Sequence, residues 1–427
     1  MLLSSEQLAF GRLVARRHQL DNGLTVILLR DVSAPVIAYQ TWFRVGSRNE
    51  VAGRTGIAHL FEHLMFNQTV NLPPGEFDRR IEAVGGETNA ATWVDWTYYV
   101  TDAPSAALSA LVGLEAERMQ HLLLGDEQVE SEREVVMNER RFRVDDSVDG
   151  TLNEALYRHA FEQHPYHWPT IGWMQDIEAI TIEDCRAFYR TYYAPNNATV
   201  VIVGDLDEEA TLAAIRGAYG PIARQPVPVE RIPTEALQTE PRRWEVHKEV
   251  PADRVHMGWR AVGQGDPDHA TLDVVAELMG GGNASRLYRA LVVDRELASS
   301  VQASVAPFRD PGLFEISVAL TRGHRAEEAE LVVEALLEAL AKEGPGPAEV
   351  DGARARLLTR FWTGLRPQSG KAEALGHAEV TLGDYRRLFE APERYAKVDA
   401  EAVQRAVRTY LGASRCTTVV ARPLETP

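Results

Sequence analysis

Cysteine is scarce in this chain, which has only two, Cys185 and Cys416, among 427 residues. They lie far apart without CxxC spacing, so the sequence indicates neither a disulfide framework nor a cysteine-based metal site. We expect two buried free thiols. Such sparse cysteine says little about the compartment in which the protein works.

Long hydrophobic runs are also missing. No stretch approaches the roughly 18 apolar residues of a membrane-spanning helix, so no membrane span is predicted. The start of the chain lacks the apolar core and small-residue cleavage site of a signal peptide, and we expect it to form a first helix or arm, with an Arg-bearing transit peptide as the alternative. A cytoplasmic location is favoured; a periplasmic one would require a signal peptide that has been removed.

Basic residues are outnumbered, with 45 Lys and Arg against 62 Asp and Glu, which gives a net charge of −17. A surface of this sign repels nucleic acid, so no nucleic-acid partner is expected. A negative cavity would favour basic peptides. The length and the ordinary share of hydrophobic residues, 45%, predict a globular protein with two or more domains.

Hydrophobic periodicity predicts alternating strands and helices in the first half of the chain. In the stretch TGIAHLFEHLMF the apolar residues follow a helical period, and Thr55 can cap the start of this helix, which spans 55–66. The other predicted elements are strands at 23–31 and 35–46, a helix at 75–86, two strands within 87–102, and helices at 104–123 and 127–142.

A proline-rich stretch divides the chain into two halves that resemble each other. Residues 223–244 hold four prolines and no clear period. Segments that begin at Ile180 and Val398 align without a gap, and each reads as a helix followed by an apolar strand. We therefore predict an internal duplication. The predicted domains are 1–225 and 245–427, joined by a linker at 226–244.

Two histidines and a glutamate fall within five positions of the predicted helix 55–66, as His59, Glu62 and His63. Residues four apart lie on one helical face, so the two imidazoles can bind one metal ion. A carboxylate that is not a ligand can then take a proton from water. The alternative is an ordinary amphipathic helix with surface histidines. In the second half, Val274 and Leu278 occupy the two histidine positions, so the helix does not need histidine to pack.

A catalytic zinc needs a third protein ligand, and the helix 127–142 is rich in candidates. Val135 and Val136 form an apolar stripe that would set nearby carboxylates at the edge of the core. The alternative is that these are solvated carboxylates of an acidic helix. Spacing leaves the choice open among Glu127, Glu130, Glu132, Glu134 and Glu139.

Four motifs, TGIAHLFEHLMF, GGETNAATWVDWTYY, EREVVMNERR and HPYHWPTIG, occur in this order. They resemble those of the pitrilysin family of zinc peptidases, whose motif is HxxEH followed by a ligand glutamate about 76 residues later. The resemblance implies one zinc per chain, held by His59, His63 and Glu139, with Glu62 as the general base.

The same resemblance implies two further sets of residues. Glu132, seven positions before the ligand glutamate, matches an acidic residue that we expect to orient a ligand. Members of the family bind an extended peptide against a strand edge, and the residues that match this edge are Asn89, Ala90, Ala91 and Thr92.

The family's fold is α+β, with two homologous α/β halves that each carry a mixed sheet covered by helices. Short members of this length assemble in pairs around a closed chamber. They use an Arg and a Tyr, seven positions apart, from a half without zinc. The matching positions here are Val292 and Ser299, and the resemblance therefore implies a heterodimer with a homologous subunit that lacks zinc and supplies the Arg and Tyr.

From this resemblance we expect a zinc endopeptidase subunit that hydrolyses peptides or unfolded segments. Within the family, an alternative enzyme role is removal of a targeting presequence. A different class of function is a catalytically silent assembly subunit. Such members commonly lose motif residues, and all four are present here.

Overall fold

The computed structural model of the protein describes residues 2–424, without the side chains of Leu2, Leu3 and Phe10. The strands, numbered in chain order, are β1 (Leu2–Phe10), β2 (Leu13–Leu20), β3 (Thr25–Arg30), β4 (Val36–Phe43), β5 (Glu87–Thr92), β6 (Thr97–Pro104), β7 (Ala198–Gly204), β8 (Arg242–Lys248), β9 (Arg254–Arg260), β10 (Ala298–Val305), β11 (Leu313–Leu320) and β12 (Cys416–Pro423).

The helices are more numerous than the strands in the described part of the chain. They are α1 (Ile57–Leu64), α2 (Glu76–Ala83), α3 (Leu108–His121), α4 (Asp126–Arg140), α5 (Val148–Ala160), α6 (Met174–Ala179), α7 (Ile182–Tyr192), α8 (Glu208–Tyr219), α9 (Pro267–Gly280), α10 (Ala326–Glu343), α11 (Pro347–Gly364), α12 (Gln368–Thr381), α13 (Ala391–Ala396) and α14 (Ala400–Tyr410). In the part of the chain that is described, none of these is both long and apolar enough to span a bilayer.

The two mixed sheets share one order of five strands, which confirms the predicted fold class and the duplication. The first sheet runs β1-β2-β3-β7-β4-β6-β5 and the second β10-β11-β9-β12-β8. Read from its other end, the second order matches the last five strands of the first. In both sheets the corresponding pairs, β3–β7 and β8–β12, are parallel, whereas the other shared pairings are antiparallel.

The start of the chain forms a β-hairpin, so the expectation of a first helix or arm was wrong. β1 and β2 pair antiparallel and leave only Gly11 and Arg12 in the turn, where Gly11 has φ 61°. A two-residue hairpin turn needs positive φ, which glycine adopts without strain. The hairpin extends the first sheet beyond β3 and has no counterpart among the described strands of the second sheet.

The compact units are not continuous in sequence, unlike the predicted domains 1–225 and 245–427. The first unit comprises the residues up to Glu139, Pro169–Arg231 and Gly364–Phe389. The second comprises Arg140–Trp168, Ile232–Thr363 and the residues from Glu390 onward. Each half of the chain thus gives one helical segment to the other unit. Strand β8 also starts inside the predicted linker, since it begins at Arg242.

The exchanged segments close the two cores. In the first unit, α12 packs on β4 and β7, and its Gly376 lies so close to Trp42 that a Cβ there would be 2.2 Å from the indole Nε1. In the second unit, α5 packs in the same way on β9 and β12. Both cysteines are buried free thiols, as predicted, and burial raises the pKa of each to about 12.

Candidate metal centre

Helix α1 presents the histidines because its other side is fixed in the core. Its buried residues include Leu60, Phe61 and Leu64, all with 0% exposure. The ring of Phe61 packs against Tyr193, with centroids 4.5 Å apart. His59, Glu62 and His63 are half-buried on the remaining side. The apolar period of the sequence therefore orients the two histidines as predicted.

The three predicted zinc ligands meet at one point in the first unit. Oε2 of Glu139 lies 3.5 Å from Nε2 of His59 and 3.4 Å from Nε2 of His63. All three ligand atoms lie within 4.8 Å of one another. Tetrahedral zinc with bonds of about 2.0–2.1 Å separates its ligand atoms by about 3.3 Å, so these residues fit the ion. No other such group of three was found among residues 2–424.

Glu132 lies on the opposite side of the His63 ring. Its Oε2 is 3.5 Å from Nδ1 of His63, and its Oε1 accepts a hydrogen bond of 3.1 Å from Nδ2 of Asn67. Burial lowers the pKa of His63, but hydrogen bonds to Glu132 and Glu139 and the charges of Glu139 and Glu62 raise it to about 9. A carboxylate on the second ring nitrogen fixes the tautomer that leaves Nε2 for a metal. Sequence reasoning did not identify Asn67.

The structure separates the five glutamates that spacing left open. Glu127, Glu130 and Glu134 are exposed on α4, whereas Glu132 and Glu139 are half-buried beside His63. The predicted valine stripe is narrower than expected. Val136 has 0% exposure and belongs to the core, but Val135 is 47% exposed. Val129 and Val136, two turns apart and both in the core, set the buried face of α4.

The start of α1 is held by a residue that the sequence analysis missed. Both oxygens of buried Glu50 accept backbone hydrogen bonds, from Gly56 at 2.9 Å and Ala58 at 2.8 Å. The prediction that Thr55 caps this helix was wrong, because its hydroxyl donates instead to Asp176 at 2.7 Å. Gly56 has φ 90° and a Cβ there would be 2.5 Å from the Ile171 carbonyl, so only glycine fits this entry to the helix.

We expect Glu50→Ala to destabilise the fold by about 2–4 kcal/mol, because two buried N–H groups would lose their acceptor. Zinc affinity should fall as well, since the first turn of α1 carries His59. The free energy of unfolding from a urea titration and a competitive zinc titration measure the two effects. The matched control is Glu82→Ala, at an exposed position of α2. Unchanged stability and zinc affinity in Glu50→Ala would show that the helix does not depend on this cap.

The predicted substrate-binding residues lie on β5, at the edge of the first sheet. Among the described strands, β5 pairs only with β6, with Asn89 opposite Val100 and Ala91 opposite Tyr98. The N–H of Ala90 donates to the side-chain Oδ1 of Asn89 at 2.9 Å. An edge strand of this kind can accept a further strand from a peptide.

Glu62 acts electrostatically on this same region. Burial raises the pKa of Tyr98 to about 12, and the negative charges of Glu373 and Glu62 add to the effect. Tyr98 lies on β6, directly behind Ala91 of the edge strand. The carboxylate of Glu62 is therefore close enough to influence both His63 and the strand behind the predicted peptide edge.

The corresponding helix of the second unit, α9, is built differently. Val274 and Leu278, which replace the histidines, are buried. Glu277 keeps the position of Glu62, but its carboxylate accepts hydrogen bonds of 2.6 Å and 2.9 Å from Arg356 and Arg360. Helix α9 therefore has no imidazole at the two ligand positions, and the carboxylate of Glu277 is bound by two arginines.

The positions expected for the Arg and Tyr have neither a guanidinium nor a phenol group, because they are occupied by Val292 and Ser299. Val292 lies in a π-helical turn (Tyr288–Val293). Ser299 is exposed on β10, where its Oγ donates to the carbonyl of Ala319 at 3.2 Å.

Two family models match successive parts of the chain. The family model described as Insulinase (Peptidase family M16) matches residues 25–172, and the one described as Peptidase M16 inactive domain matches residues 179–357. The first match contains every predicted zinc ligand. The second contains the apolar counterpart helix α9.

Several relatives cover most of this chain. The zinc protease PqqE of Helicobacter pylori is 33% identical, over 95% of this chain and 92% of its own. The probable mitochondrial-processing peptidase subunit beta of Arabidopsis thaliana is 23% identical, over 92% of this chain and 75% of its own. A crystal structure of a protease from Helicobacter pylori superposes with a TM-score of 0.90 at 31% identity, covering 99% of this chain and 100% of that one. The resemblance to the pitrilysin family is thereby confirmed, and the chain belongs to peptidase family M16, the insulinase or pitrilysin family.

Proposed function

We propose that the chain is a zinc-dependent endopeptidase subunit that hydrolyses peptides or unfolded segments. The observation that carries this proposal is the convergence of His59, His63 and Glu139 on one point. Glu62 lies between the two histidines on helix α1. The proposal is supported by relatives that are named as zinc proteases.

Zinc fits this set of side chains by donor type and spacing. In such a site the ion is a Lewis acid that acidifies water and polarises a peptide carbonyl. His59, His63 and Glu139 would hold it through Nε2, Nε2 and a carboxylate oxygen. Glu132 would keep His63 in the tautomer with Nε2 free of hydrogen, because Nδ1–H faces its carboxylate.

The other residues of the site would handle the peptide. Glu62 takes the proton from the attacking water and delivers it to the nitrogen of the leaving amine. Asn89, Ala90, Ala91 and Thr92 bind the backbone of an extended segment at the edge of β5. Backbone pairing requires a chain that is not already folded, so the substrate is an unfolded or flexible peptide.

A homologous partner subunit completes the site in this proposal. The partner supplies the Arg and Tyr missing at Val292 and Ser299, and the pair encloses the peptide in a chamber. Enclosure would exclude water and strengthen the interactions of charged groups with the reacting atoms. Presequence removal is a narrower form of the same activity, supported by the name of the Arabidopsis relative.

A catalytically silent assembly subunit is the alternative of a different class, and the inactive domain named in the description of the model that matches residues 179–357 is in keeping with it. Zinc content and hydrolysis of casein, both measured on one sample of the chain assembled with its partner subunit, distinguish a peptidase from a silent subunit. Bound zinc with no hydrolysis by the assembled complex would favour the silent subunit.

We expect one zinc per chain, because Val274 and Leu278 remove both imidazoles from the second unit. Glu139→Gln should weaken zinc binding by at least tenfold, because a catalytic site has only three protein ligands. Metal analysis after dialysis and a chelator competition measure both values. Glu134→Gln, the same change on an exposed residue of the same helix, is the control. Two zincs per chain, or unchanged affinity in Glu139→Gln, would contradict the assignment.

A further inference from the structure

Aromatic rings cover one face of the first sheet next to the predicted peptide edge. The register of β5 and β6 places Tyr98 behind Ala91, and the backbone N–H of Trp93 donates to the carbonyl of Trp96 at 2.8 Å. Because side chains alternate along a strand, Ala91 and Trp93 share one face with Tyr98 and Trp96. Trp42 on β4 continues this face, stacked on Tyr98 with centroids 4.3 Å apart.

The outermost ring of this aromatic face is exposed and rigidly placed. Trp93 is 48% exposed, and its indole stacks on that of Trp96 at 6.5 Å with an interplanar angle of 20°. Its carbonyl accepts a hydrogen bond from the N–H of Ser47 at 3.2 Å. A buried ion pair of 2.8 Å between Arg48 and Asp95 fixes the same turn. An anchored, exposed aromatic side chain binds another ring with little loss of conformational entropy.

Helix α12 supplies the polar groups at the base of the aromatic face. His377 contacts Trp96 with centroids 6.3 Å apart, and burial lowers its pKa to about 4, so it is uncharged near neutral pH. Glu373 acts on Tyr98 as a negative charge. The face is therefore aromatic and carries a carboxylate, which disfavours an acidic ligand.

A peptide strand added to the free edge of β5 would place alternate side chains on this aromatic face. One side chain would lie over Ala91, whose methyl group leaves the ring of Tyr98 accessible behind it. The side chain two residues away, about 7 Å along the strand, would lie beside Trp93. Beside Tyr98 and Trp93, an aromatic side chain of the peptide would form favourable cross-strand aromatic pairs.

We propose that this aromatic face selects peptides with aromatic side chains at two positions separated by one residue. The proposal rests on the proposed function, because it takes the edge of β5 as the site of the substrate. It names Ala91, Tyr98 and Trp93 as specificity-determining residues.

Binding to the Glu62→Gln protein, assembled with its partner, tests the selection without cleavage. Three fluorescent peptides of equal length carry Phe, Leu or Glu at the two alternate positions, with all other residues small and polar. We expect the Phe peptide to bind about tenfold more tightly than the Leu peptide and the Glu peptide to bind most weakly.

Substitutions on the aromatic face should remove this preference. Trp93→Ala should weaken binding of the Phe peptide about tenfold, and Ala91→Leu should remove the part of the preference for Phe over Leu that comes from Tyr98, by covering that ring. Trp244→Ala is the matched control, since Trp244 is 46% exposed on β8 and stacks on a single ring, that of His159. Thermal unfolding of each variant verifies that it folds.

Equal affinities for the three peptides, no detectable binding of any of them, or unchanged affinity in both variants would overturn the proposal. Hydrolysis of casein by the wild-type complex is measured in parallel. Hydrolysis without peptide preference would refute the aromatic selection alone. Selective binding without hydrolysis would instead refute the proposed function.

Discussion

Glu62→Gln is expected to lower kcat for peptide hydrolysis by about 10²- to 10⁴-fold, which is the usual contribution of a general acid–base. Glutamine has the size of glutamate but cannot accept the proton of the attacking water at neutral pH. His59, His63 and Glu139 are unchanged, so zinc should stay bound at one ion per chain. Hydrolysis of a quenched fluorescent peptide, paired with metal analysis of the same sample, measures both properties.

The control separates the loss of a base from the loss of a negative charge. Glu134→Gln makes the same change at an exposed position of α4 and should leave both zinc content and kcat near the wild-type values. If Glu62→Gln loses zinc, the carboxylate is a ligand and Glu139 is not the third one. If it keeps both zinc and activity, another residue moves the proton.

The purified chain alone is expected to be nearly inactive even with zinc bound. Each preorganised donor to a developing oxyanion contributes about 3 kcal/mol, or more than 10²-fold in rate. The family resemblance implies an Arg and a Tyr for this role, and this chain has Val292 and Ser299 at the matching positions. A homologous chain with the Arg and Tyr but without HxxEH should restore hydrolysis. The active species should have about twice the mass of this chain by light scattering.

A substitution in this chain gives a stricter test of the same idea. Val292→Arg with Ser299→Tyr would give each chain both a zinc site and the missing donors. We expect two copies of this variant to hydrolyse peptides together without another subunit. Full activity of the wild-type chain by itself would show that other residues stabilise the transition state.

The helix that carries the two proposed histidine ligands was predictable because it depends on local spacing. The period of Leu60, Phe61 and Leu64 predicts a helix, and the four-residue separation of the histidines follows from it. The two related halves were visible because the segments that begin at Ile180 and Val398 align without a gap. The choice of Glu139 as the third ligand needed the family resemblance, since the five glutamates of this helix have similar local sequence patterns around them.

The remaining features depend on contacts that local sequence patterns do not encode. Glu50 satisfies N–H groups six and eight residues later, through a buried approach that no capping motif describes. Asn67 reaches Glu132 across 65 positions. The β1–β2 hairpin has a mostly exposed first strand, so its apolar period is weak. The Gly11–Arg12 turn was its only clear signal.

The exchange of helical segments between the compact units has a consequence for synthesis of the protein on the ribosome. Helix α12 covers β4 and β7 of the first unit, yet it is made more than 160 residues after β7 ends at Gly204. Until then, the apolar surface of Trp42, Val201 and Val203 lacks its packing partner. Formation of such distant contacts is slow, and the exposed surface invites aggregation. The nascent first unit is therefore expected to need a chaperone until residues 364–389 emerge, and a chain cut at the linker would not complete either core.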